Sequence, residues 1–439
     1  MTKLRHWWQT IRSSFWFVPA AIVLGAVGLA TALITVESSI DLNVVERWPL
    51  FFGAGAAGAR GLLTTVAGSM ITVAGVVFSI TLVALSMTSS QYTSRVIRNF
   101  MRDRVNQTVL GVFVGIFAYC LVVLRTIHGG DEGSFVPSLA VLAGLILAFV
   151  GIAFLIYFIH HISVSIQASS IIATTAQETI AAVDHLFPEG LGEDGDEAAD
   201  GNLPTFLAHQ PWSAVPARKT GYLESINADA LLALARERGT ILRMERGIGE
   251  FVVEGTPLVS MTGPGGLDDE TTAKLNAAYV ISRQRTVETN AAFGIRQIVD
   301  IALKALSPGI NDTTTAVMCV DYLAAILVRL ADRRIASSGC PDQGELRVIA
   351  RGPSFESLLG EAFDQIRQNA AGNVAIMLRM LGALQTIASL TASPGRRRAV
   401  RERVQWIADL AARTIASPYD RARFESRLAH VREALEEDH

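Results

Sequence analysis

Charge is what this sequence has little of. Only 18% of its 439 residues are Asp, Glu, Lys or Arg, where soluble proteins carry nearer a quarter. Between Arg60 and Arg95 the shortage becomes an absence, because Gly61–Ser94 runs thirty-four residues without one charged side chain or histidine. A helix needs roughly 20 apolar residues to cross a bilayer, so a wholly soluble chain is excluded. A basic excess is also missing. The net charge of −3 argues against a nucleic-acid binder, since such domains are strongly basic. Cysteine is scarce: Cys120, Cys319 and Cys340 stand in no CxxC or CxH spacing. They build neither a disulfide framework nor a thiolate metal site, and are expected to fill apolar space. No P-loop, HExxH, GxSxG or dinucleotide fingerprint is present in a fitting context, so neither an enzyme nor a bound cofactor is expected.

What is present is four long uncharged runs, Ser13–Val36, Gly61–Ser94, Val105–Leu124 and Gly133–Ile159. They predict spans at about 15–36, 62–88, 106–125 and 136–159. No acidic residue lies in any of them, which sets aside a proton- or sodium-coupled carrier. Lys3, Arg5, Arg12, Arg95, Arg98, Arg102 and Arg104 flank one side, against Arg47, Arg60 and Arg125 on the other. The positive-inside rule therefore places both termini in the cytoplasm. Two alternatives compete. Ala30-Thr31-Ala32 resembles a signal-peptidase site, but the apolar run continues past it. Val374–Ala392 is apolar enough to suggest a fifth span, although it contains Arg379 and Gln385. That crossing would export Arg396, Arg397 and Arg398, and a buried soluble helix is the better reading.

The predicted domains are a four-span region at 1–160, a helical extension of the last span at 161–187, and an acidic linker at 188–217. A small β-rich module follows at 218–262, and a helical domain at 263–439. The extension's apolar face is read through Ile162, Ile166, Ala173, Ala176, Ile180 and Val183. Within the linker, Glu189–Asp200 holds six acidic residues and no basic one. The β-rich module has short apolar runs at Gly221–Ile226, Thr240–Met244, Glu250–Val253 and Pro257–Ser260, with a helix over Ala228–Arg238. Its Gly249–Leu258 phrase resembles the hairpin of barrel-sandwich carrier domains, yet no lysine occurs between Lys219 and Lys274 to serve as a carrier arm. Downstream, one or two helices fill Asp268–Leu306 and stop at Ser307-Pro308-Gly309. Asn311 or Asp312 then caps a helix running to about Ile335. A short strand near Leu346–Ala350 and four further helices complete the chain.

Two segments are distinctive: Gly68-Ser69-Met70-Ile71-Thr72-Val73-Ala74-Gly75-Val76-Val77-Phe78-Ser79-Ile80-Thr81-Leu82, and the stretch from Phe293-Gly294-Ile295-Arg296-Gln297 to Ser307-Pro308-Gly309-Ile310-Asn311-Asp312. They resemble the bacterial predicted-membrane-protein family known as domain of unknown function 2254, and the likeness extends over nearly the whole chain. In that family proline often follows the Asn-Asp pair, where Thr313 stands here. The resemblance implies a multispan bacterial membrane protein and no particular activity.

Three constellations are candidate sites. Thr65, Ser69, Thr72, Ser79, Ser86 and Ser90 fall at steps of three, four or seven, so they share one helix face, beside Gly61, Gly68 and Gly75. This is either a pore wall or the small-residue seam by which membrane helices pack. Arg95, Arg98 and Arg102 would form a cytoplasmic mouth favouring anions, or simply contact anionic lipid. Ser307, Asn311 and Asp312 would start a ligand-binding helix, or make a structural corner. His160 and His161 point about 100° apart on a helix and cannot share a metal; a pH-sensing role is the alternative to none. The expectation is a mainly α membrane protein: four transmembrane helices, a cytosolic barrel-sandwich-like module and a cytosolic helical domain. Its partners would be membrane lipid, further copies of itself and an ion or small anion. As function, a homo-oligomeric ion channel stands first, and a non-conducting sensor or scaffold second.

Overall fold

The computed structural model describes residues 16–39, 55–91, 103–128, 135–187, 210–263, 268–333, 335, 340–342 and 345–436. It divides into two compact units, Met1–Ser170 and Ile171–His439.

The first unit is built from α1 (Phe17–Ser39), α2 (Ala56–Gln91), α3 (Arg104–Thr126) and α4 (Ser138–Ser165). The long uncharged run does not break: α2 is one helix of 36 residues, roughly 54 Å long at 1.5 Å per residue. Its center of packing is α3, which touches the other three helices and buries Val109, Phe113, Ile116, Tyr119, Cys120 and Val123. In lipid there is little hydrophobic drive between helices, so close approach at small residues carries the packing. Gly111 shows this. A Cβ there would stand 2.9 Å from the Cα of Pro19 on α1. At Gly151 on α4 it would stand 2.9 Å from the Met70 sulfur of α2.

Between Ser165 and the next helix, α5 (Ala168–Leu186), the chain leaves the helical path at Ile166 and Gln167. The expected continuous extension is therefore interrupted. The break resets the helical phase, and the buried face runs through Ile171, Ile172, Thr175, Ala176, Thr179, Ala182 and Val183. Ala173 and Ile180, read from the sequence as part of that face, are only half-buried.

The second unit holds a sheet region and a set of helices. Its elements are β1 (Trp212–Pro216), β2 (Gly221–Ile226), α6 (Ala228–Arg238), β3 (Leu242–Met244), β4 (Phe251–Val252), β5 (Pro257–Thr262), α7 (Asp269–Ala277) and β6 (Tyr279–Ser282). After these come α8 (Ala291–Ala305), α9 (Thr313–Ala331), β7 (Cys340–Asp342), β8 (Glu345–Ile349), α10 (Phe355–Asn369), α11 (Val374–Ser389), α12 (Pro394–Thr414) and α13 (Pro418–Glu436). The strands form a five-stranded sheet, β1-β5-β3-β8-β7, and a three-stranded one, β4-β2-β6. All pairings are antiparallel except β3 with β8, where Leu242 faces Val348. The sheets thus recruit residues well outside 218–262, because the free edges of β2, β3 and β5 are closed by β6, β8 and β1. Val215, Leu223, Leu242, Val252, Leu258, Val259 and Val348 form the common core with α6.

Local chemistry sets the helix ends. Asn227 caps α6 through Ala230 N at 3.0 Å, and Gly239 closes it in the left-handed region at φ 60. Ser354 and Ser357 make a reciprocal capping box at α10. At the far end of α9 a buried arginine does this work. Arg396 Nη1 donates to Ala331 O at 2.9 Å and Leu330 O at 3.2 Å, and Nη2 donates to Arg333 O at 3.0 Å.

Among the described residues five helices, α1 to α4 and α9, are long and apolar enough to cross a membrane. The four expected spans are thus joined by a fifth candidate, which is not the Val374–Ala392 stretch weighed from the sequence. That stretch forms the shorter α11, and α9 packs against it.

Candidate functional site

On α2 the buried face is Ala59, Leu63, Ala67, Met70, Ala74, Val77 and Ala84, against the other helices of its own unit. The remaining face carries the hydroxyl stripe. Thr65, Ser69, Thr72, Ser79 and Ser86 are all exposed, and nothing lies within 4 Å of where a Cβ would sit on Gly61, Gly68 or Gly75. Among the described residues, stripe and seam are therefore left uncovered by the helices of their own unit. Two hydroxyls are turned inward on the helix: Thr65 donates to Gly61 O and Thr72 to Gly68 O, both at 2.8 Å. Arg95, Arg98 and Arg102, read as a cytoplasmic mouth, lie outside the described residues.

The helix ends of this unit are tied by ionisable side chains that spacing alone does not pair. Glu37, at the end of α1, accepts from Leu139 N at 3.1 Å, in the uncapped first turn of α4. Arg60 Nη2 donates to Ile127 O at 2.7 Å, just past the end of α3. An acid at a helix start and a base at a helix end both complement the macrodipole. On the third tie, Asp103 caps α3 by accepting from Val105 N at 2.8 Å, while its second oxygen meets His161 Nε2 of α4 at 2.5 Å. His160 stays exposed, so the adjacent histidines have different surroundings. Asn106 is buried in the first turn of α3 with neither amide atom hydrogen-bonded.

In the second unit, Ser307–Asp312 forms a tight corner. Asp312 N donates to Ala305 O at 2.8 Å, and Asn311 stands in the left-handed region at φ 50. The Asp312 carboxylate accepts from Thr315 N at 3.0 Å and from the Thr315 hydroxyl at 2.5 Å, which holds its pKa below the ordinary value. Thr313, where the family often has proline, accepts from Asn373 Nδ2 at 3.1 Å, and Asn373 in turn caps α11. The corner thus joins two helix starts. Immediately upstream, Gly294 lets α8 meet α5: a Cβ there would collide with the Thr179 hydroxyl and lie 2.9 Å from its Cβ. Asp184 of α5 is held by Arg329 at 2.6 Å and Arg333 at 2.5 Å. The hydrogen bond from Arg329 and the two nearby guanidinium charges lower its pKa. Among the described residues no group of three His, Cys, Asp or Glu side chains is placed to hold a metal.

Several long apolar helices joined in one chain define a multi-pass membrane protein. The family model of the predicted membrane proteins DUF2254 matches residues 12–386, and the chain belongs to that family. It is similar to an uncharacterized protein of Mycobacterium tuberculosis strain H37Rv, at 34% identity over 437 residues, covering 97% of this chain and 81% of the relative. An uncharacterized protein of Mycobacterium bovis is similar to the same extent. No solved structure matches the chain.

Proposed function

We propose that this protein is a homo-oligomeric ion channel of the bacterial inner membrane, with α1 to α4 as spans, both termini cytoplasmic and α2 lining the path. The observation that carries this is the uncovered face of α2, where hydroxyls and bare glycines occupy the side away from the helix's own core. A glycine seam on a membrane helix invites a second copy to pack closely, and association of that kind would bring the stripes around a shared axis. Counting four spans assigns α9 to the cytosolic unit. Its buried Cys319, Val320, Leu323, Ile326 and Leu327 support this, as does the ion pair between its Asp321 and Arg379 of α11. In this reading the chain is not an enzyme, and its second unit regulates the path.

The inward-turned Thr65 and Thr72 hydroxyls favour a second reading, a non-conducting sensor or scaffold in which the stripe only packs. Single-channel recording of the purified protein in planar bilayers, beside Ser79→Leu, separates the two. Discrete currents altered by the substitution are expected. Silence from folded, oligomeric protein across voltage, pH and tension would leave the scaffold.

A further inference from the structure

A cleft of about 520 Å³ opens in the second unit along α10, between Arg296 of α8 and Arg403 of α12. Its volume falls in the usual range of small-molecule sites, roughly 300–1,000 Å³. The open wall is acidic: Glu356 is 63% exposed, and Glu361 and Asp364 line the cleft further along the helix. Arg296 is already engaged by Asp300 at 3.0 Å and Glu361 at 3.2 Å. Arg403 is not. Only 7% of its side chain is exposed, and its guanidinium stacks on Trp406 at 4.4 Å. The carboxylates of Asp364, Glu356 and Glu402 all stand 3.6 Å from its nitrogens, beyond good hydrogen-bonding reach. As a result Nε and Nη1 of Arg403 and one oxygen of Asp364 have no hydrogen-bond partner. Each such buried group costs about 1–3 kcal/mol. Gly360 keeps the approach open, since a Cβ there would press on Asp364 at 3.0 Å and Arg403 Nη2 at 3.1 Å.

A ligand suited to this cleft needs an acceptor for the guanidinium and a cationic donor for the carboxylates, close together on one small frame. A simple anion would meet the acidic wall, and a simple amine would leave Nε and Nη1 of Arg403 without a hydrogen-bond acceptor. We infer that the cleft formed by Glu356, Gly360, Asp364 and Arg403 binds an amine–carboxylate zwitterion of amino-acid or dipeptide size. The ligand's carboxylate lies toward Arg403 and its ammonium toward Asp364 and Glu356. Arg403 and Asp364 shift by a fraction of an ångström to meet it.

Binding does not depend on conduction, so this site and the channel reading can fail separately. The test is calorimetric titration of the full-length protein in detergent with the common L-amino acids and glycylglycine. Putrescine serves as a cation-only probe and succinate as an anion-only probe. Saturable binding of at least one zwitterion is expected, with putrescine and succinate weaker by about tenfold or more. Glu356→Gln, a substitution on the exposed wall, should weaken the zwitterion by about tenfold, the scale of one charge-assisted hydrogen bond. Arg403→Met should abolish binding, and Glu356→Gln keeps the test decisive if that variant does not fold. The inference is overturned if no zwitterion binds to folded protein, if putrescine binds as tightly, or if Glu356→Gln binds unchanged.

Discussion

Replacing Gly294 by alanine should loosen the second unit. In an isolated helix this change is favourable, by roughly 1 kcal/mol. Here the new methyl would enter space held by Thr179, which is fully buried and pinned by donating to Thr175 O at 2.6 Å. No side-chain rotation relieves the clash, because the Thr179 Cβ itself would stand 2.9 Å away. The two helices must separate. Overpacking costs about 1–3 kcal/mol and more where backbone moves, so a net loss of about 2 kcal/mol is expected after the helix gain. For a unit of this size that lowers the thermal midpoint by about 4–8 °C. The assay is intrinsic-fluorescence melting of the detergent-solubilised protein, run on Gly294→Ala alone and combined with Thr179→Gly. The second change removes the obstacle, so the double variant should melt above Gly294→Ala. An unchanged midpoint in the single variant, or a fall that Thr179→Gly does not relieve, would refute the steric argument.

Other perturbations follow from the same contacts. Asp103→Asn and His161→Gln should each lower the melting midpoint and together lower it by little more than one alone; additive losses in a double-mutant cycle would show that the pair is not coupled. Arg396→Met removes three buried donations at the end of α9 and should cost about 3–5 kcal/mol, seen as lost monodisperse protein on gel filtration. Arg396→Lys should recover only part of this, since an ammonium cannot reproduce the planar fork. The depressed pKa of Asp312 means that its contribution is full above the ordinary carboxylate value of about 3.9 and is lost as pH falls through the lower folded value. Asp312→Asn keeps a cap acceptor but loses the charge, so it should give up part of this contribution at neutral pH, and Asp312→Ala, which loses both, should cost more, about 1 kcal/mol. Acid titration of the Asn variant should show less of the acid-induced loss than the native chain.

Helix ends were the most legible part of the sequence, because caps are local. The bounds expected for α6, Ala228–Arg238, are those found, with Asn227 and Gly239 as its caps, and of the two caps expected for the next helix, Asn311 or Asp312, it is Asp312 that begins α9. Strand partners were not legible: Leu242 pairs with Val348 more than a hundred residues away, and alternation within a strand says nothing about what lies beside it. The break at Ile166-Gln167 was missed for a related reason. Neither residue is a helix breaker, and the apolar pattern runs through it. At the candidate site, spacing alone grouped Thr65, Ser69, Thr72, Ser79 and Ser86 on one face. It could not show that Glu37, Arg60 and Asp103 reach across to other helices, because those charges look like ordinary loop residues until the bundle brings them together.

The two residues between α4 and α5 set a limit on mechanical slack. At about 3.5 Å per residue, Ile166 and Gln167 can stretch to no more than roughly 7 Å. They are partly taken up already, since Ile166 N donates to Ile162 O and Gln167 N to Val164 O. The link is a coupling rather than a tether, because two residues hold almost no slack to let out.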